Sequence, residues 1–261
     1  MHNVKDIYVT GDIHGEFKTL VFVLIESKKL RDCAVIVAGD IGMGFYKHMH
    51  YVDLFNKLNK KLCERNIHLY FVRGNHDNPR YFNKTPENLS NISHIHFVHD
   101  YDVLKLCGHN ILCVGGATSV DKAYRKENVT WWDFEYVLPY EKLNCKDVDI
   151  VVTHCAPMFC PPKHERLADM TIDIDEHVCA DRNTLSKLYF DLVKTRNFPE
   201  KWFYGHYHKH YESKLDNNYE FTDVEQFYLN NGLEDIEIGN SYCEFIGLGI
   251  LEKNTIDIYK I

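Results

Sequence analysis

Five short segments of this 261-residue chain bring carboxylate, imidazole and amide groups together. They are Gly11-Asp12-Ile13-His14-Gly15, Gly39-Asp40, Gly74-Asn75-His76-Asp77, Thr153-His154 and Gly205-His206-Tyr207-His208. Nitrogen and oxygen donors of this kind suit Mn²⁺, Fe or Zn²⁺ better than a thiolate-preferring ion. Each segment alone has an ordinary explanation. An Asp after a Gly is commonly a turn or helix cap, and a histidine after a strand is commonly a hydrogen-bonded core residue. Asn75 can hold a turn, and His206 and His208 can simply share one face of a strand. Five such segments in succession, each behind an apolar run, point instead to a common site.

Donors so far apart in sequence need ordered elements to gather them. Ile7-Tyr8-Val9 reads as a buried strand ending at Thr10-Gly11. Phe17, Leu20, Val21, Leu24 and Ile25 then recur at helical spacing. Ala34 to Ala38 reads as a second strand, His50 to Arg65 as a helix, and His68 to Val72 as a third strand ending at Arg73-Gly74-Asn75. This rhythm predicts parallel strands joined by crossover helices. Further on, His94 to Val98, Asp102 to Leu106 and Asn110 to Val114 are expected as neighbouring strands, the last two joined at Gly108-His109. Asp149 to Thr153 is expected as a strand, Asn183 to Lys194 as a helix and Trp202 to Tyr204 as a short strand. Tyr219 to Ile261 is expected to be mostly extended. The donor segments thus lie at the C-terminal ends of strands, the edge where open α/β sheets bind ligands. No repeat or linker interrupts the chain, so one domain over 1–261 is expected.

In this order the segments resemble the calcineurin-like metallophosphoesterase superfamily, whose pattern runs D-x-H, G-D, G-N-H-D/E, H and G-H-x-H. The resemblance extends from Ile7 to His208. It implies a four-layer αββα sandwich of two mixed sheets, with a two-metal site at one edge. It also implies that Asp12, His14, Asp40 and His208 hold one divalent ion and that Asp40, Asn75, His154 and His206 hold a second, with Asp40 bridging. His76 resembles the family's non-ligand histidine facing the substrate, with Asp77 orienting it. Two ions about 3.5–4 Å apart activate water and clamp a phosphoryl group for in-line attack, so hydrolysis of a phosphomonoester or phosphodiester is implied. Mn²⁺ is the first expectation for the metal. The alternative is a catalytically inactive binding module of the same fold; the filled ligand positions and His76 favour the enzyme.

Some features depart from the family's protein Ser/Thr phosphatases. Gly39-Asp40-Ile41-Gly42-Met43-Gly44 lacks their Asp-Arg-Gly, and Asp77 stands where they carry Glu, although Arg73 before Gly74 is reminiscent of them. The segment Gly115 to Arg125 looks like one in small bacterial and phage members, and Arg125 is a candidate to bind a phosphate oxygen. Its ordinary reading is an ion pair. Trp131 and Trp132 suit either a cleft wall or core packing, and the loop from Cys155 to Asp181 either a specificity loop or a surface excursion.

Composition excludes several classes. A formal net charge of −8 argues against a broad basic surface for non-specific nucleic-acid binding. No apolar run approaches the roughly 20 residues that span a bilayer. Nine cysteines without framework spacing fit a reducing, cytoplasmic setting. Of the 16 histidines, those outside the five segments, such as His48, His94 and His210, are read as non-functional.

Overall fold

A computed structural model describes residues 3–143, 145–163, 170–195, 197–215, 243–251 and 255–261. Its strands are β1 (Asp6–Thr10), β2 (Cys33–Val37), β3 (Ile67–Phe71), β4 (Ile95–Phe97), β5 (Val103–Leu106), β6 (His109–Val114), β7 (Ile150–Thr153), β8 (Lys201–Tyr204), β9 (Tyr211–Leu215), β10 (Cys243–Gly247) and β11 (Ile258–Lys260). The helices are α1 (Phe17–Phe22), α2 (His48–Arg65), the short α3 (Arg80–Asn83) and α4 (Glu87–Ser90), and α5 (Ile172–Lys194).

The strands form two mixed sheets, ordered β11-β1-β2-β3-β4 and β5-β6-β7-β8-β10-β9. In the first, β1 to β4 are parallel and β11 is antiparallel. In the second, β6, β7, β8 and β10 are parallel, while β5 and β9 are antiparallel edges. Period-two alternation explains why central strands such as β2 are apolar throughout. Cys33, Val35 and Val37 pack with the helices α1 and α2, whereas Ala34, Ile36 and Ala38 face the second sheet. On the far side α5 covers the second sheet, burying Leu185, Leu188, Tyr189 and Leu192 against Val151, Trp202 and Phe245. Each fully buried side chain of this kind contributes about 1.5–3 kcal/mol. The result is an α/β sandwich with helices on both outer faces.

Register carries the site. Thr10 pairs with Val37 and Val37 with Phe71, so β1, β2 and β3 end level. Val114, Thr153 and Tyr204 end level in the second sheet. The donor segments therefore begin within a few residues of one common edge.

Two expectations need correction. The stretch 94–98 is not a neighbour of the next two strands: β4 lies parallel to β3 in the first sheet, and the chain crosses to the second sheet before β5. Tyr101, with φ of 67°, turns the backbone at that crossing. Apolar spacing fixes a strand's existence but not its sheet. The helix expected from Asn183 begins instead at Ile172, because the Thr171 hydroxyl caps the Ile174 N–H and Asp173 and Asp175 complement the helix dipole. Most of the extended stretch expected from Tyr219 lies outside the described residues. The nine cysteines are unpaired, and among the described residues no helix is long and apolar enough to cross a membrane.

Candidate metal centre

The loops after β1, β2, β3, β7 and β8 meet at the shared edge. The Asp40 carbonyl accepts from the N–H groups of Ile13 and His14, at 3.2 and 2.8 Å, joining the first two loops. Gly39 has φ of 93°, and a Cβ there would overlap the His154 ring. A Cβ on Gly74 would strike Asp40 itself. Glycine is thus required where loop backbones meet donor side chains. Asp40, His14, His206 and His208 themselves take positive φ, between 42° and 69°. That conformation is uncommon for such residues and clusters at functional sites.

Two groups of donors result. Ligand atoms of Asp12, His14, Asp40 and His208 lie within 4.8 Å of one another, and so do those of Asp40, His154 and His206. Asp40 belongs to both. Its Oδ1 accepts from the His76 N–H at 2.7 Å and lies 3.3 Å from His154 Nε2. Its Oδ2 lies 3.8 Å from the Nε2 atoms of both His14 and His76. Asn75 joins the second group, with Oδ1 at 2.9 Å from His154 Nε2.

The donors fit divalent cations. Among the described residues, buried Asp12 Oδ2 finds no hydrogen-bond partner, although His208 Nε2 is 3.1 Å away. The Nε2 atoms of His14 and His208 face each other at 3.1 Å. His154 Nδ1 donates to the Ala38 carbonyl at 2.8 Å, which leaves Nε2 as the ligating atom. Burial works against charge on both members of the Asp40–His154 pair, yet each keeps the other charged. Asp40 is held well below the usual carboxylate range and His154 rises to about 9. The cluster of buried acids draws in a proton where a cation would serve.

Asp77 has a different job from the one expected. Its carboxylate accepts from the N–H groups of Ile41, Gly42, Met43 and Gly74 at 2.7–3.1 Å. It fixes the Asp40 loop against the Asn75 loop and makes no direct bond to the His76 ring. Arg125 touches that ring instead, with Nη1 at 3.1 Å from Nδ1 and Nη2 beside Nε2. Arg125 is also paired with Asp121 at 2.7 Å, so the ion pair and the place at the site are both present. Burial, and after it the Arg125 charge, lower the His76 pKa, while Asp40 opposes them.

A cavity of about 760 Å³ opens from Asp40, Asn75 and His76 towards Arg125, Asp181 and Tyr207. Pro162 and Lys163 border it, so the described part of the loop after His154 reaches the cleft. Arg182 holds that loop, donating to the carbonyls of Pro157, Cys160 and Pro162 at 2.6–2.9 Å. Trp131 and Trp132 do not line the cavity; Trp132 is buried against Phe45. Arg73 is wholly buried, bonded to Asp100 and to the carbonyls of Phe134, Glu135 and Tyr136. Sequence reasoning missed Ser119, Glu135, Asp181 and Arg182. Nothing in their spacing separates a buried polar side chain from a surface one.

No curated protein matches the chain. Among solved structures, TT1561 of Thermus thermophilus aligns at 14% identity and a TM-score of 0.47, over 98% of each chain. A structure described as a novel archaeal phosphodiesterase aligns at 12% and 0.40, again over 98% of each. The model of the calcineurin-like phosphoesterase family matches residues 5–210, and the chain belongs to that family.

Proposed function

We propose that the chain hydrolyses a phosphate ester using two divalent cations. Asp12, His14, Asp40 and His208 would hold one, and Asp40, Asn75, His154 and His206 would hold the other, with Asp40 common to both groups. The observation that carries this reading is that a single buried carboxylate belongs to both donor groups, with its two oxygens turned towards different histidines. Bound there, the cations supply Lewis acidity and make water a competent nucleophile near neutral pH.

The chain's own residues do the rest. His76 stands between Asp40 and Arg125 at the cavity mouth, so a proton on its ring can be given to the leaving oxygen or hydrogen-bond the developing charge. Arg125, held by Asp121, brings positive charge to the same wall and orients the phosphoryl group. Asp77 keeps the two loops at a fixed separation. Mn²⁺ is the first ion to test, since nitrogen and oxygen donors alone do not choose among Mn²⁺, Fe and Zn²⁺.

The test is the purified chain, reconstituted with Mn²⁺, on an aryl monoester, an aryl diester, nucleotides, cyclic nucleotides and a phosphopeptide. Asp40→Asn should lose metal and turnover together. His76→Ala should keep its metal and lose about 10²–10⁴ of the rate. Full activity in His76→Ala sinks the acid assignment. Two bound ions with no turnover on any substrate would favour a binding module.

A further inference from the structure

Glu135 is an acid at 3% exposure in a segment with no regular structure, and the proposed reaction gives it nothing to do. Its carboxylate accepts from both donor groups of Ser119, the N–H at 2.8 Å and the hydroxyl at 2.7 Å. The Ser119 hydroxyl oxygen in turn accepts from Asn75 Nδ2 at 2.9 Å. Resting on the two-cation reading, we infer that Glu135 and Ser119 are positioning residues that fix which end of the Asn75 amide faces the cation of the Asp40–His154–His206 group, and so set the affinity for that ion.

The two ends of an asparagine amide are nearly equal in size and differ only in what they bond. Burial raises the Glu135 pKa and the two Ser119 donors oppose it; while ionised the carboxylate only accepts, so Ser119 gives its one hydroxyl proton to Glu135. The hydroxyl then has only lone pairs left for Asn75. It takes the Nδ2 end, and Oδ1 is turned to the other side, towards His154 and the donor cluster. Reversed, the same amide would present N–H groups to a cation. All three side chains are buried, so solvent is not at hand to satisfy a misplaced end.

Glu135 is itself fixed. Its carbonyl accepts from Arg73 Nη1 at 2.8 Å and from the Ala117 N–H at 3.0 Å. Arg73 and Asn75 flank Gly74, so the loop that presents the ligand also grips the segment that orients it. The ordinary alternative is that Glu135 merely ties down the loop after β6.

Glu135→Gln separates the two readings. The Ser119 N–H still needs an acceptor, so the Gln carbonyl takes that place and its NH₂ faces the Ser119 hydroxyl. The hydroxyl proton is then driven towards Asn75, which must offer its oxygen and turn Nδ2 into the cluster. Calorimetric Mn²⁺ titration, with electron paramagnetic resonance of free and bound ion, should give two sites in the wild-type chain. In Glu135→Gln one site should weaken by about 10–100-fold, while the metal-free protein melts close to wild type. Ser119→Ala removes the relay without reversing it, so its loss should be smaller, and it decides the matter should Glu135→Gln not fold. Wild-type affinity for both ions in these variants overturns the inference. So does a low melting temperature with both sites weakened equally, the mark of a structural tie. Fewer than two ions on the wild-type chain overturns the two-cation reading, and this inference with it.

Discussion

The two donor groups share Asp40 yet sit in unlike surroundings. In the deeper group the His154 side chain is 0% exposed, its ring is tied to the Ala38 carbonyl, and Asn75 is tied to Ser119. In the shallower group His14 and His208 are 26% and 45% exposed, and their Nε2 atoms lie against each other rather than against any backbone anchor. The fold has therefore set the deeper group in advance. The shallower one has no such anchor on its His14 and His208 rings among the described residues. Preorganised ligands lose less freedom on binding, so the deeper ion should be the tighter of the two.

The largest effect expected from this contrast is on stability. His154→Ala leaves the Asp40 carboxylate buried without its nearest cationic partner, and breaking such a pair costs about 3–5 kcal/mol. Urea denaturation of the metal-free protein near neutral pH measures it. A loss under about 1 kcal/mol would show that the deeper group is no more braced than an ordinary surface pair.

His208→Ala is the matching change on the open side. Metal-free stability should fall by less than about 1 kcal/mol, because solvent screens the contact of half-exposed His208 with the buried Asp12 carboxylate. The weaker Mn²⁺ should lose at least the roughly 10–100-fold typical of disturbed metal shells, while the tighter ion stays. If both ions weaken together, or the tighter one is lost first, the contrast is false.

The same contrast governs what could be read from the sequence. Asp12, His14, Asp40, Asn75, His154, His206 and His208 were legible because each lies just past an apolar strand, and strands that end in register must deliver their trailing loops to one edge. The supports were not legible. Glu135 lies in Trp131-Trp132-Asp133-Phe134-Glu135-Tyr136, where no period distinguishes an inward acid from an outward one. The resemblance implies that Asp77 orients the His76 ring, but four backbone N–H groups from two loops claim its carboxylate. Likewise β4 was readable as a strand but not as part of the first sheet, since partner choice depends on where the chain crosses.

Asp181 offers a third test, because it is an acid buried beside the same cavity where burial raises the pKa more than the Arg73 charge lowers it. Thr118 Oγ1 donates to it at 2.6 Å and the Val137 N–H at 2.9 Å, yet burial outweighs them and raises it from 3.8 to about 6, the opposite direction from Asp40. Between those values the folded chain binds a proton that the unfolded chain has released. Its contribution to stability is therefore fully present below 3.8 and is lost as pH rises through about 6. At about 1.4 kcal/mol per unit the whole span is bounded at roughly 3 kcal/mol. Asp181→Asn cannot ionise and can still accept from Val137 and donate to the Thr118 hydroxyl. Relative to wild type, the variant should gain roughly 1–2 kcal/mol of unfolding free energy between about pH 4 and about pH 7 in metal-free urea denaturation. A flat difference would mean that Asp181 is already ionised at the low end, so that burial at this edge does not suffice to keep a carboxyl neutral. The low Asp40 would then need no special credit to His154, and the distinction between a braced and an open donor group would lose its electrostatic basis.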